Sequence, residues 1–114
     1  WLREAGRAGI AARRGVNLQN KLGVTALMEA AYQGYERIVD TLIRHGAAIN
    51  LQSSLGGTAL MGAAIHNHPA VVLRVLRAGA DMTLRSSGGR TALQIAKEKG
   101  HTECYEAVRT YLGE

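Results

Sequence analysis

The chain has 114 residues, enough for one domain and too few for two cores of ordinary size. Hydrophobic residues make up 46% of it, which reads as a soluble globular domain, and no apolar run approaches the roughly 18 residues that a membrane-spanning helix needs. The formal charge of +5 invites a nucleic-acid partner, but no basic stripe interleaved with aromatics appears, and the single Cys104 excludes an internal disulfide and fits a reducing, intracellular setting.

Much of the charge excess sits at the beginning. Residues 1–16 carry Arg3, Arg7, Arg13 and Arg14 against Glu4, residues 17–52 balance, residues 53–85 carry +2, and residues 86–114 balance again. Trp1-Leu2-Arg3-Glu4 lacks the long apolar segment of a secretory signal. A start at Trp1 rather than Met suits a piece of a longer protein. Ala11-Ala12-Arg13-Arg14-Gly15-Val16-Asn17 resembles a helix ending found again downstream, shortened by two residues, and Gly6 and Gly9 weaken the helix before it. Residues 1–19 therefore read as a degenerate half-repeat.

From residue 20 a unit emerges that explains itself physically. Thr25 precedes the helix formers Ala26-Leu27-Met28-Glu29-Ala30-Ala31 and can cap them with its hydroxyl; Gly34 ends that helix. A second helix begins near Glu36 and carries Ile38, Val39, Leu42 and Ile43 as an apolar stripe. Gly46 ends it, and Ile49-Asn50-Leu51 is expected as a short extended stretch leading to a turn.

Residues 53–85 repeat the unit. Thr25, Thr58 and Thr91 stand 33 residues apart in both steps, and the register holds without a gap through Ala30-Ala31 and Ala63-Ala64, Ile38-Val39 and Val71-Val72, and Gly46-Ala47 and Gly79-Ala80. Pro69 suits the first turn of the second unit's outer helix, where its missing N–H is harmless. Gly62, in mid-helix, is expected to mark a close backbone approach.

Residues 86–114 keep the period but change character. Lys97 replaces the second Ala and Arg109 falls where Ile43 and Leu76 fall earlier, as suits a terminal unit on which nothing stacks. Cys104, Val108, Tyr111 and Leu112 are expected as an inward stripe, making this a C-terminal capping repeat. The whole chain then forms a single domain.

Together, the period and the motifs Thr25-Ala26-Leu27-Met28-Glu29-Ala30, Thr58-Ala59-Leu60-Met61-Gly62-Ala63 and Thr91-Ala92-Leu93-Gln94-Ile95-Ala96 resemble ankyrin repeats over roughly residues 17–112. The outer-helix ending Leu42-Ile43-Arg44-His45-Gly46-Ala47-Ala48-Ile49-Asn50 is similar to the family's as well. Ala stands for the signature Pro, and Met or Gln for the His. The resemblance implies an all-α solenoid of paired antiparallel helices with projecting β-turns, and a partner bound on the concave face of turns and inner helices. Carried over position by position, that face comprises Lys21, Leu22, Val24, Tyr32 and Gln33 in the first unit. It comprises Ser54, Leu55, Gly57, Ile65 and His66 in the second, and Ser87, Arg90, Glu98 and Lys99 in the third. Leu22, Val24, Tyr32, Leu55 and Ile65 are apolar residues at positions that should face water, the pattern of an interaction patch.

No chemistry rises beside that patch. His66-x-His68 with His45 and His101 could suggest a metal site, but His68 and His101 share one repeat position and read as structural hydrogen-bonders. Cys104 aligns with Val71 and Ile38 and reads as a buried thiol. Gly88-Gly89-Arg90-Thr91 lacks the spacing and the Lys of a phosphate loop. The expectation is a non-enzymatic, intracellular module with no catalytic residue, cofactor or metal. Its partner is another protein, and no membrane is involved. The chain is expected to be monomeric, although its N-terminal face could mediate self-association. Two alternatives stand beside this: a binder of nucleic acid or another acidic surface using Arg13, Arg14, Arg74, Arg77 and Arg85, or an architectural segment of a longer array.

Overall fold

The computed structural model describes residues 15–113, in which six helices occur as three pairs. The inner helices are α1 (Ala26–Gln33), α3 (Ala59–Ile65) and α5 (Ala92–Lys99). Each is followed by an outer helix: α2 (Glu36–Arg44), α4 (Pro69–Arg77) and α6 (Thr102–Tyr111). No β-strand occurs among the described residues. The fold is the expected all-α solenoid. The proposed half-repeat at residues 1–19, with Arg13 and Arg14, falls almost entirely outside the described residues.

Each inner helix starts on a threonine in extended backbone conformation, whose Oγ1 accepts the amide of the third helical residue. The distance is 3.2 Å from Met28, 3.2 Å from Met61 and 3.3 Å from Gln94. Gln94 completes a capping box by accepting the Thr91 amide at 2.9 Å. Past the end of α1 and α5 the chain turns through left-handed Gly34 and Gly100; in the second unit Asn67 takes the same conformation with φ 58°.

Between the helices lies a core of small side chains. Ala30, Ala31, Ala63, Ala64 and Ala96 are fully buried and let the inner helices lie side by side. Val39, Val71, Val72, Val75, Cys104 and Val108 fill the layer against the outer helices. On the outer surface Arg74 of α4 reaches Glu36 and Asp40 of α2, both at 2.8 Å, tying neighbouring units together. Such half-exposed pairs contribute about 0–1 kcal/mol each.

The projecting turns form a ladder of their own. Ser54 N–H donates to the Leu22 carbonyl and Ser87 N–H to the Leu55 carbonyl, both at 2.8 Å. This approach requires glycine at the turn: a Cβ on Gly56, at φ 76°, would stand 2.9 Å from the Ser87 nitrogen. Gln52 Nε2 donates both to Gly56 O of its own turn and to Arg85 O of the next, at 2.9 and 3.0 Å.

Three expectations need correction. Ile49–Asn50 is a turn rather than extended chain, and it uses the Asn50 side chain to bridge units: Oδ1 accepts from Asp81 N at 2.7 Å and Nδ2 donates to Gly79 O at 3.2 Å. Asn17 does the same for Ala48 N. Gly62 is not crowded, because a Cβ there would lie 3.6 Å from Tyr32 backbone atoms, an ordinary contact. The inward stripe of α6 ends at Val108; Tyr111 and Leu112 are exposed because nothing covers the last turn of the final outer helix among the described residues. The outward face of the third unit is polar where earlier units stack. Lys97 is exposed at the position of buried Ala31 and Ala64, and Arg109 is half-exposed at that of buried Leu76.

Candidate partner-binding groove

Turns and inner helices enclose a groove of about 620 Å³. Its walls are Val24, Leu55 and Gly57 from the turns, Tyr32 from the end of α1, and Ile65 from the end of α3; Ser87, Arg90, Glu98 and Lys99 close the third-unit side. All of these come from positions expected in the sequence. The other expected residues sit around it: Lys21, Leu22, Gln33, Ser54 and His66 are exposed but do not line the cavity. Leu22, Tyr32 and Leu55 are 64%, 44% and 71% exposed, so the apolar strip does face water rather than tucking against neighbouring turns.

Sequence reasoning missed the floor. Met28, Met61 and Ile95 lie beneath the strip, nearly buried, with Gly62 between the first two inner helices. The recurrence of Met at the same repeat position was the available signal. A flexible thioether under an open apolar groove can adapt to more than one bound shape.

Local contacts hold the rim. The His66 ring packs on Tyr32 with centroids 4.0 Å apart and an interplanar angle of 56°, which fixes the tyrosine at the groove edge. Gln33 Nε2 donates to Glu29 Oε1 at 3.2 Å along α1. Arg90 Nε donates to both Glu98 oxygens, at 2.8 and 2.7 Å.

The remaining titratable groups have structural positions. His68 Nε2 meets the Tyr32 carbonyl at 3.0 Å and His101 Nδ1 the Ala64 carbonyl at 2.8 Å, each tying an outer-helix start to the inner helix of the preceding unit. His45 Nδ1 meets Thr41 O at 2.7 Å within its own helix. Among the described residues no three His, Cys, Asp or Glu side chains gather as metal ligands. Cys104 is fully buried; burial, and then the negative charge of Glu103, push its thiol above the ordinary range. Of the arginines that suggested nucleic acid, Arg74 is engaged with Glu36 and Asp40, and Arg85 donates to its own turn at Gly89 O, at 2.9 Å. No helix among the described residues is long and apolar enough to cross a membrane.

No curated protein matches the chain. The family model for ankyrin repeats, in three copies, matches residues 7–86. That match begins upstream of the ungapped 33-residue register and stops before the third pair of helices, which carries the same threonine cap on helices of similar length, 8 and 10 residues against 8 and 9 in the first pair. Extending over well more than half of the chain, and agreeing with its paired helices and projecting turns, the match makes this chain a member of the ankyrin repeat family.

Proposed function

We propose that the chain is a protein-binding module whose partner docks in the groove between the projecting turns and the inner helices. Ankyrin repeats are in general protein–protein interaction modules and typically not enzymes. The observation that supports the groove as the docking face is the exposure of Leu22, Tyr32 and Leu55 beside a concave apolar floor. Water leaves such a surface at a gain of about 25 cal/mol per Å² when a complementary partner covers it. Tyrosine packed against a neighbouring ring is the kind of preorganised anchor on which binding energy concentrates.

The same reading makes the module one monomeric domain working inside the cell, with repeats at 20–52 and 53–85 and a capping repeat at 86–114. The polar Lys97 and Arg109 positions support the cap. The test is capture from cell lysate by the immobilised chain, compared with a Tyr32→Ala/Leu55→Ala variant. Both side chains are largely exposed, so the variant should melt within a few degrees of the parent while captured proteins fall at least tenfold, a loss of about 1.4 kcal/mol or more. An unchanged set of captured proteins would remove the groove from the mechanism. Capture that persists in the variant but vanishes on nuclease treatment would establish the charge-based alternative instead.

A further inference from the structure

The outer helices carry a charge pattern that the concave site does not use. A second groove, of about 770 Å³, runs between α2 and α4. Its charged lining is Arg37, Arg44, Arg74 and Arg77 against Asp40 alone, a net +3. Arg74 meets both Asp40 and the adjacent Glu36, each at 2.8 Å, so one arginine satisfies both carboxylates. Arg37, Arg44 and Arg77 are exposed and make no ion pair among the described residues.

Helix stability accounts for part of this. Arg44 and Arg77 end α2 and α4, one period apart, where a cation faces the negative end of the helix dipole. Arg37 has no such reason. It is the second residue of α2, where the dipole disfavours positive charge, and the equivalent positions downstream hold Ala70 and Glu103. It lies two turns before Arg44 along one helix face, about 10 Å away along the axis. Arg77 stands across the groove from them.

Between the arginines the groove is apolar, with Ile43 and Leu73 half-buried in it. No aromatic ring lines it among the described residues, so a nucleic-acid base would find nothing to stack on. The next groove along, between α4 and α6, is lined by Glu103 and Glu106 and by no Lys or Arg among the described residues. An acidic ligand is therefore drawn to one groove of the outer surface and repelled from its neighbour.

We infer that the α2–α4 groove is a second docking face, which takes an acidic segment of a partner protein. The segment's carboxylates meet Arg37, Arg44 and Arg77, whose planar forks each take a carboxylate through two parallel bonds, and its apolar side chains cover Ile43 and Leu73. This face is separate from the concave groove and does not depend on a partner bound there.

Selection of random dodecapeptides displayed on phage tests this, with the phage first depleted on an Arg44→Gln/Arg77→Gln variant and the remainder selected on the parent chain. Lys97→Glu lowers the net charge by the same amount at an exposed position outside the groove, and so controls for charge alone. Melting curves check that each variant is folded. The enriched peptides should be rich in Asp and Glu. As synthetic peptides they should bind the double variant about five- to tenfold more weakly than the parent, and Lys97→Glu within about twofold of it. Arg37→Gln should also weaken them while melting no lower than the parent, because it removes a cation from the first turn of α2. Tyr32→Ala/Leu55→Ala should bind them as the parent does. No enrichment after depletion, or peptides without an acidic excess, would overturn the proposal. An equal loss on Lys97→Glu would overturn it too, reducing the effect to net charge. A loss on Tyr32→Ala/Leu55→Ala would place the peptides in the concave groove and leave only that reading standing. Single-stranded DNA of about 20 nucleotides that binds more tightly than the peptides at physiological salt, and loses affinity on the double variant, would reassign the face to nucleic acid.

Discussion

Replacing Gly62 by Ala should make the protein more stable. Gly62 sits in the middle of α3, where glycine is less favourable than alanine by about 0.8–1.0 kcal/mol because the unfolded chain has more backbone freedom to lose. The cost of such a change normally depends on space, and here there is room. The new Cβ would lie 3.6 Å from the Cα, Cβ and N of Tyr32, within ordinary van der Waals contact, and the backbone is not in the left-handed region. The repeats on either side carry Glu29 and Ile95 at this position, so the solenoid tolerates side chains much larger than a methyl. Partial burial of that methyl adds some fraction of the roughly 0.8 kcal/mol per buried CH₂. The net gain is about 1–1.5 kcal/mol, or roughly 5 °C in Tm for a domain of this size. Urea and thermal unfolding followed by circular dichroism would measure it, with an unchanged m-value showing that the unfolded state is comparable. A lower Tm would refute the reasoning, since it would mean that α1 and α3 pack too tightly at Tyr32 to admit a methyl.

Two other predictions separate closely related effects. Gly34→Ala and Gly100→Ala both place a side chain in left-handed backbone, but a Cβ at Gly34 would stand 2.6 Å from the His68 ring whereas Gly100 faces open space. Gly100→Ala should cost about 1 kcal/mol and Gly34→Ala roughly 1–2 kcal/mol more, as the ring moves and its bond to Tyr32 O is lost; equal losses in urea titrations would show that His68 holds nothing. Because burial raises the Cys104 thiol in the folded state, only the unfolded chain readily releases that proton above the ordinary value of 9.0. The stability this contributes is full below about pH 9 and declines as pH rises beyond it, so Cys104→Ala should flatten the alkaline fall in urea midpoint; parallel profiles would place the thiol in water.

How far the site could be read in advance depended on what each residue answers to. Val24, Tyr32, Leu55, Ile65, Arg90, Glu98 and Lys99 line the groove because a repeat position dictates direction, and direction is inherited along a 33-residue register. Met28 and Met61 escaped notice as groove floor, since an apolar residue on an inner helix looks the same in sequence whether it faces a neighbour or a cavity. Gly62 misled for a related reason: absence of a side chain suggests proximity, but only the distance to Tyr32 distinguishes a close approach from an unfilled place. Tyr111 and Leu112 have the right spacing for a buried stripe, and spacing does not say where the neighbouring unit ends.

The sequence by itself determined the helix pairs, their threonine caps, their glycine stops and the 33-residue period, because these are local: a hydroxyl three residues from an amide, or a residue that must adopt positive φ. It also determined the alanine-lined inner helices, and with them the stacking. Only the tertiary structure decided which side chains bridge units, as Gln52 and Asn50 do, because those bonds join residues about one period apart.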